Sequence, residues 1–185
     1  MPYYRRSTRY STKAIGRQKF SPFCGSKLLI GNIQGQNNFT NSVGVDLIEN
    51  TAQSPNFVPP VMKVRHLKVT FSTPPFAANV LPAIASIRLY IVFLPQGVDF
   101  IPPVGNQQGL LNGTLSNHPE WIMGQRDVPI RDGTSPISAT LNSYQKRNLN
   151  SGDKIIAVAQ FIYAAGMPAM QVSTLWQYSY SSRSN

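Results

Sequence analysis

Fifteen prolines and thirteen glycines are spread along the 185 residues, and this punctuation constrains the fold more than any other feature. Proline removes a helix-interior donor and glycine costs backbone entropy, so long helices have little room. What lies between the breakers is short, apolar and often alternating. Eight strands are predicted, over residues 28–34, 43–49, 62–71, 86–94, 120–128, 137–146, 154–163 and 170–180.

The last of these is the cleanest. Met170, Val172, Thr174, Trp176, Tyr178 and Tyr180 fall on one face and Gln171, Ser173, Gln177 and Ser179 on the other, with Leu175 the one break in the alternation. In 86–94, Ile87, Leu89, Ile91 and Phe93 point one way, while the opposite face starts polar at Ser86 and Arg88 and turns apolar at Tyr90, Val92 and Leu94. Residues 154–163 are apolar on both faces, as expected of a central strand covered on both sides. In 62–71 the apolar face switches between Val64 and Leu67, which predicts a β-bulge near Arg65. Pro-rich and polar connections separate the strands, and that of 95–117 is long for a compact domain. No internal repeat is present. Eight strands with no helix of consequence predict an all-β fold, an eight-stranded antiparallel jelly-roll sandwich, with the immunoglobulin sandwich as rival.

Charge divides the chain in two. Residues 1–27 hold Arg5, Arg6, Arg9, Lys13, Arg17, Lys19 and Lys27, seven of the seventeen cations, and the first acid is Asp46. They show neither helical nor strand periodicity, and are read as a disordered basic N-terminal arm (1–27) ahead of a sandwich domain (28–185). A polycationic arm neutralises phosphates, and Tyr3, Tyr4, Tyr10 and Phe20 are candidates to stack on unpaired bases. A solvated tail or a nuclear-import address is the plainer reading of the same residues. Lys63, Arg65 and Lys68, interleaved with apolar residues, form a second basic feature that could meet the same polyanion. Charged residues make up only 13% of the chain, against a usual ~25%, which suits a surface largely covered by neighbours.

Several classes are disfavoured. Cys24 is the only cysteine, so neither an internal disulfide nor a multi-thiolate metal site can form. The start of the chain has no apolar run behind Arg5 and Arg6, so no secretory signal is expected, and the apolar run 155–159 is far short of the ~20 residues of a membrane helix. The sequons at Asn38 and Asn112 are read as chance. His66 and His118 have no second ligand at metal spacing, and both are read as ordinary surface or turn residues. There is no Gly-x-Ser-x-Gly elbow and no phosphate-cradling glycine loop. Asp46, Glu49, Asp99, Glu120, Asp127, Asp132 and Asp153 scatter over loops and strand ends. No catalytic residues, cofactor or metal are assigned; a calcium ion shared between subunits at such acids is a secondary idea.

Four stretches together resemble a known family. They are Val61 to Phe71 running into Ser72-Thr73-Pro74; Leu89-Tyr90-Ile91-Val92-Phe93-Leu94-Pro95-Gln96-Gly97; Asn117-His118-Pro119-Glu120-Trp121 running to Arg126-Asp127; and Arg147-Asn148-Leu149-Asn150-Ser151-Gly152-Asp153-Lys154. In this order, behind a basic arm, they resemble the capsid proteins of small circular single-stranded DNA viruses that encode a replication initiator, the circovirus-like group. The resemblance implies a jelly-roll subunit of a closed homo-oligomeric icosahedral shell of about 60 copies. It implies a virion protein, with passage through the host nucleus before assembly. It also implies that the cations at 5, 6, 9, 13, 17, 19, 63, 65 and 68 face packaged DNA. The arm departs from the family, being short and diluted with Ser, Thr and Tyr. A satellite-virus-like capsid around RNA and a cellular β-barrel or sandwich module that binds nucleic acid are the alternatives. A cupin-type enzyme would need a histidine cluster that this chain lacks.

Overall fold

The computed structural model describes residues 20–33, 40–51, 61–76, 84–100, 117–130, 136–163 and 169–184. Nine strands run through them: β1 (Ser21–Ile33), β2 (Thr40–Glu49), β3 (Met62–Thr73), β4 (Ile84–Leu94), β5 (Ile122–Pro129), β6 (Ile137–Asn142), β7 (Arg147–Leu149), β8 (Lys154–Tyr163) and β9 (Met170–Ser184). The first sheet has the order β1-β9-β3-β6, with β7 also on β3; the second has the order β2-β8-β4-β5.

All pairing is antiparallel and nested, first strand with last, β2 with β8, β3 with β6 and β7, β4 with β5. Successive pairs lie in alternate sheets, which is the rolled-up double Greek key of a jelly roll. An immunoglobulin sandwich would put its first two strands in one sheet, and here β1 and β2 are in different ones.

The inner faces make the main core. Ile87, Leu89 and Ile91 of β4 and Ala157, Ala159 and Phe161 of β8 meet Val64, Val69 and Phe71 of β3 and Trp176 of β9. Trp176 packs edge-on against Phe71 at 4.8 Å, and its indole N–H donates to Thr174 Oγ1 at 3.1 Å. Thr174 in turn donates to the Leu29 carbonyl at 3.2 Å, so the polar atoms beneath the largest core side chain are satisfied. The second sheet is also apolar on its outer face. Tyr90, Val92, Leu94, Ile156 and Val158 are buried there beneath Val98, Phe100, Trp121 and Ile122, which explains why β4 and β8 lack strict alternation.

Most strand ends differ from the sequence expectation by a few residues, β9 running on from 180 to Ser184, and three differences are larger in consequence. β1 begins at Ser21, not residue 28, so residues 21–27, counted with the arm by composition, pair with β9. This part has no apolar period because little of it is buried; Phe23 stacks on Tyr180 at 5.2 Å, and Gly25 leaves room for the Tyr178 ring, which would come within 2.5 Å of any Cβ there. The stretch 137–146 holds only β6, after which a turn at 143–146, anchored by Ser143 N–H on the Leu67 carbonyl, leads to β7. Before β5, Pro119–Trp121 form a 3-10 turn, as proline at a helix N-terminus favours.

Asp153 ties the loops at one end of the second sheet. Its carboxylate accepts the N–H groups of Gln96 (3.0 Å) and Asn150 (2.7 Å), and its carbonyl accepts from Asn50 N–H (3.0 Å). Gly152, at φ 80°, makes that turn possible. Among the described residues, no helix is long and apolar enough to cross a membrane.

Candidate nucleic-acid interface

The outer face of the first sheet is built by a register shift. In a regular strand, residues 65 and 68 would point to opposite sides, since side chains alternate. β3 instead shifts its pairing with β9 between Arg65 and Lys68, and His66 at the shift adopts φ 52°. Lys63, Arg65 and Lys68 thereby lie opposite Arg183, Ser181 and Ser179. These odd-numbered positions of β9 face away from Trp176, so the three cations share the outer face while Val64, Leu67 and Val69 stay in the core. The predicted bulge is present, and this is what it does.

Arg183, which the sequence reading missed, completes the group. Lys63 and Arg183 are direct cross-strand partners, and like charges so placed repel. Phe20 partly offsets this: the Arg65 guanidinium lies 4.2 Å from its ring centroid and that of Arg183 5.6 Å. Phe20, a base-stacking candidate, thus carries cations on its ring, and it is also the point at which residues 1–19 join the sheet. Arg5, Arg6, Arg9, Lys13, Arg17, Lys19, Tyr3, Tyr4 and Tyr10 lie outside the described residues.

Lys27 is not part of this face. Its register partner is Trp176, which puts it on the inner side at the sheet edge, where its ammonium donates to the Asp46 carbonyl of β2.

Around the cations the outer face is hydroxyl- and amide-rich. Thr70 pairs with Thr140 (3.2 Å between hydroxyls) and Ser72 with Ser138 (3.3 Å). A shallow depression of about 310 Å³ is lined by Cys24, Lys68, Thr70, Gln177 and Ser179. Such groups offer donors to phosphate without reading one base.

Every acid among the described residues lies elsewhere. Asp46, Glu49 and Asp127 are on strands of the second sheet, and Asp99, Glu120 and Asp153 are on its connections. Asp127 holds Arg88 through Nε (2.6 Å) and Nη2 (3.3 Å), which raises the Arg88 pKa above its ordinary value. Asp46 and Asp99 border a depression of about 460 Å³ in which Lys154 supplies a compensating charge. No group of three His, Cys, Asp or Glu side chains among the described residues could hold a metal ion.

The two histidines have different surroundings. His66 sits exposed on the β3 bulge, whereas His118 stacks flat on Trp121 at 3.8 Å and bonds Glu120 through Nδ1 at 3.0 Å.

No protein-family model matches the chain, and no curated protein does. Among solved structures, it is similar to the decameric capsid protein of beak and feather disease virus, at 8% identity over 89% of this chain and 99% of that one, with a TM-score of 0.49. The 60-mer of the same capsid protein gives 8% identity, coverage of 91% and 95%, and a TM-score of 0.46. A semi-empty virus-like particle of the giant freshwater prawn Macrobrachium rosenbergii nodavirus gives 12% identity, coverage of 100% and 94%, and a TM-score of 0.43.

Proposed function

We propose that this chain is a capsid subunit that assembles into a closed shell around single-stranded nucleic acid, circular DNA being the cargo that the circovirus-like sequence motifs imply. The observation that carries this reading is the sorting of charge by the fold. Lys63, Arg65, Lys68 and Arg183 gather on one sheet face, beside Phe20, and the described acids sit on the other sheet or on connections to it. A polyanion that neutralises the arm then lies against the sheet, and relieves the repulsion between Lys63 and Arg183. Contacts of this kind are made to phosphates and are indifferent to sequence, as packaging requires. The low overall charge density supports the assembly half of the proposal, because a domain that stays soluble alone generally carries charges of both signs over its surface.

The test is size-exclusion chromatography of the purified protein with the 260 to 280 nm absorbance ratio of its heaviest peak, followed by nuclease digestion of the extracted cargo. Particles with nuclease-sensitive cargo are expected, and a monodisperse single subunit at neutral pH and moderate salt would overturn the reading. DNase against RNase sensitivity separates a DNA capsid from a satellite-like RNA capsid.

A further inference from the structure

The same sheet face has a second, uncharged end. Leu28 and Ile30 of β1 and Leu175 of β9 stand on its outer side, 68%, 57% and 37% exposed, whereas the corresponding positions at the other end carry the cations. Leu28 and Leu175 are direct cross-strand partners. With Pro74 and Pro136 they line a groove of about 310 Å³, flanked by Ser72 and Ser173. Ile30 projects beside it, two residues along β1. Leu175, the one break in the alternation of β9, is therefore no accident of the pattern; it completes an apolar patch.

We propose that this groove is the contact surface for a second copy of the chain, packed across a two-fold axis so that Ile30 of each copy enters the groove of the other. A second copy is the partner that a shell requires, and in that sense the surface is tied to the function proposed above. Charge selects this occupant. Among the described residues, the patch offers no cation to a phosphate backbone. Lys68, opposite Ser179, is four strand positions from Leu175, roughly 14 Å at 3.4 Å per residue. That distance exceeds the ~8 Å Debye length at physiological salt. Lys27, next to Leu28 in sequence, is on the opposite face and bonded to β2. No acid among the described residues is on this face to attract a basic partner.

Two copies of a +10 chain repel unless they meet where they are uncharged. Arg183 lies eight residues along β9 from Leu175, roughly 27 Å. An antiparallel two-fold packing through Leu175 therefore sets the two basic clusters apart by roughly 28 Å between the Lys68 positions and roughly 54 Å between the Arg183 positions, free to hold nucleic acid while the apolar ends are joined.

Sedimentation velocity of nuclease-treated protein at high salt tests this. Leu28→Gln combined with Leu175→Gln should raise the concentration needed for self-association by about tenfold or more, since two exposed leucines lose their buried contact. The thermal melt and oligonucleotide binding at low concentration should not change. Equal self-association of variant and wild type would overturn the groove as the contact surface and leave the shell reading standing; wild-type protein that stays monomeric at every concentration would overturn both. As a second measurement, Ile30→Cys in a Cys24→Ser background should give dimers with a short bismaleimide, and Ser181→Cys in the same background should not. The reverse pattern would place the contact at the basic end and sink the proposal.

Discussion

The two sheets share one core yet treat their outer faces in opposite ways. The second buries its own: Tyr90, Val92, Leu94, Ile156 and Val158 lie beneath the segment after β4 and the 3-10 turn before β5, and Arg88 on it is paired with Asp127. Among the described residues, the outer face of the first sheet carries four cations at one end, two of them against the Phe20 ring, and an apolar groove at the other. On the function proposed above, the second sheet is scaffold and the first is the one that meets partners. Sequence composition blurs the difference, because averaged over the chain the two contribute to the same low charge density.

The largest effect expected from this contrast is on stability. Tyr90→Ala opens a cavity on the covered side of the second sheet and should cost about 3–5 kcal/mol, whereas Thr70→Ala on the outer face of the first should stay within about 0.5 kcal/mol. Urea unfolding of the two variants measures this, and equal losses would mean that the outer face of the first sheet is as structural as that of the second.

Next in size is binding. The six arm cations together with Lys63, Arg65, Lys68 and Arg183 predict a slope of log affinity against log salt of about −7 for a single strand, at 0.7 per neutralised phosphate. Replacing Lys63, Arg65 and Lys68 with alanine should reduce it to about −5, which amounts to roughly 100-fold in affinity at 0.1 M salt if the lines meet near 1 M. Lys154→Ala, on the second sheet, should change affinity less than about twofold. Fluorescence titrations at several salt concentrations give both numbers, and an equal effect from Lys154 would erase the division between the sheets.

A smaller change is expected at Asp153. Asp153→Ala strands the N–H groups of Gln96 and Asn150 and should cost about 1–3 kcal/mol, with oligonucleotide binding at low concentration unaltered. Loss of binding in a folded variant would show that the loops of the second sheet contact the cargo.

The smallest effect is on pH. Burial pushes the phenols of Tyr90, Tyr163 and Tyr180 above their ordinary value. The folded state then holds protons that the unfolded chain releases, so their contribution is fully present below pH ~10 and is lost as pH rises through the folded values. The urea midpoint should fall above pH ~10, and less steeply in Tyr90→Phe, which has no phenol to ionise; parallel curves would assign the loss to other groups.

Much of this was legible in the sequence, and particular residues show why the rest was not. The period of two in β9 and the double-faced apolarity of β8 are consequences of side-chain geometry along a single strand, so they can be read locally. The switch from Val64 to Leu67 likewise announced a bulge. The strand formed by residues 21–27 could not be seen, because it is held by backbone pairing with residues 176–182 and by the rings of Tyr178 and Tyr180, not by burial of its own side chains.

By itself, then, the sequence determined an all-β sandwich, its central strand and a basic N-terminal composition, each of which follows from the order of neighbouring residues. Only the tertiary structure decided which charges stand together. Arg183 joins Lys63 because β9 returns to β3 across about 120 residues of chain, and Lys68 joins Arg65 because the bulge inverts the alternation between them. Long-range pairing sets the first and backbone register the second, and neither is encoded in the spacing of cations along the chain.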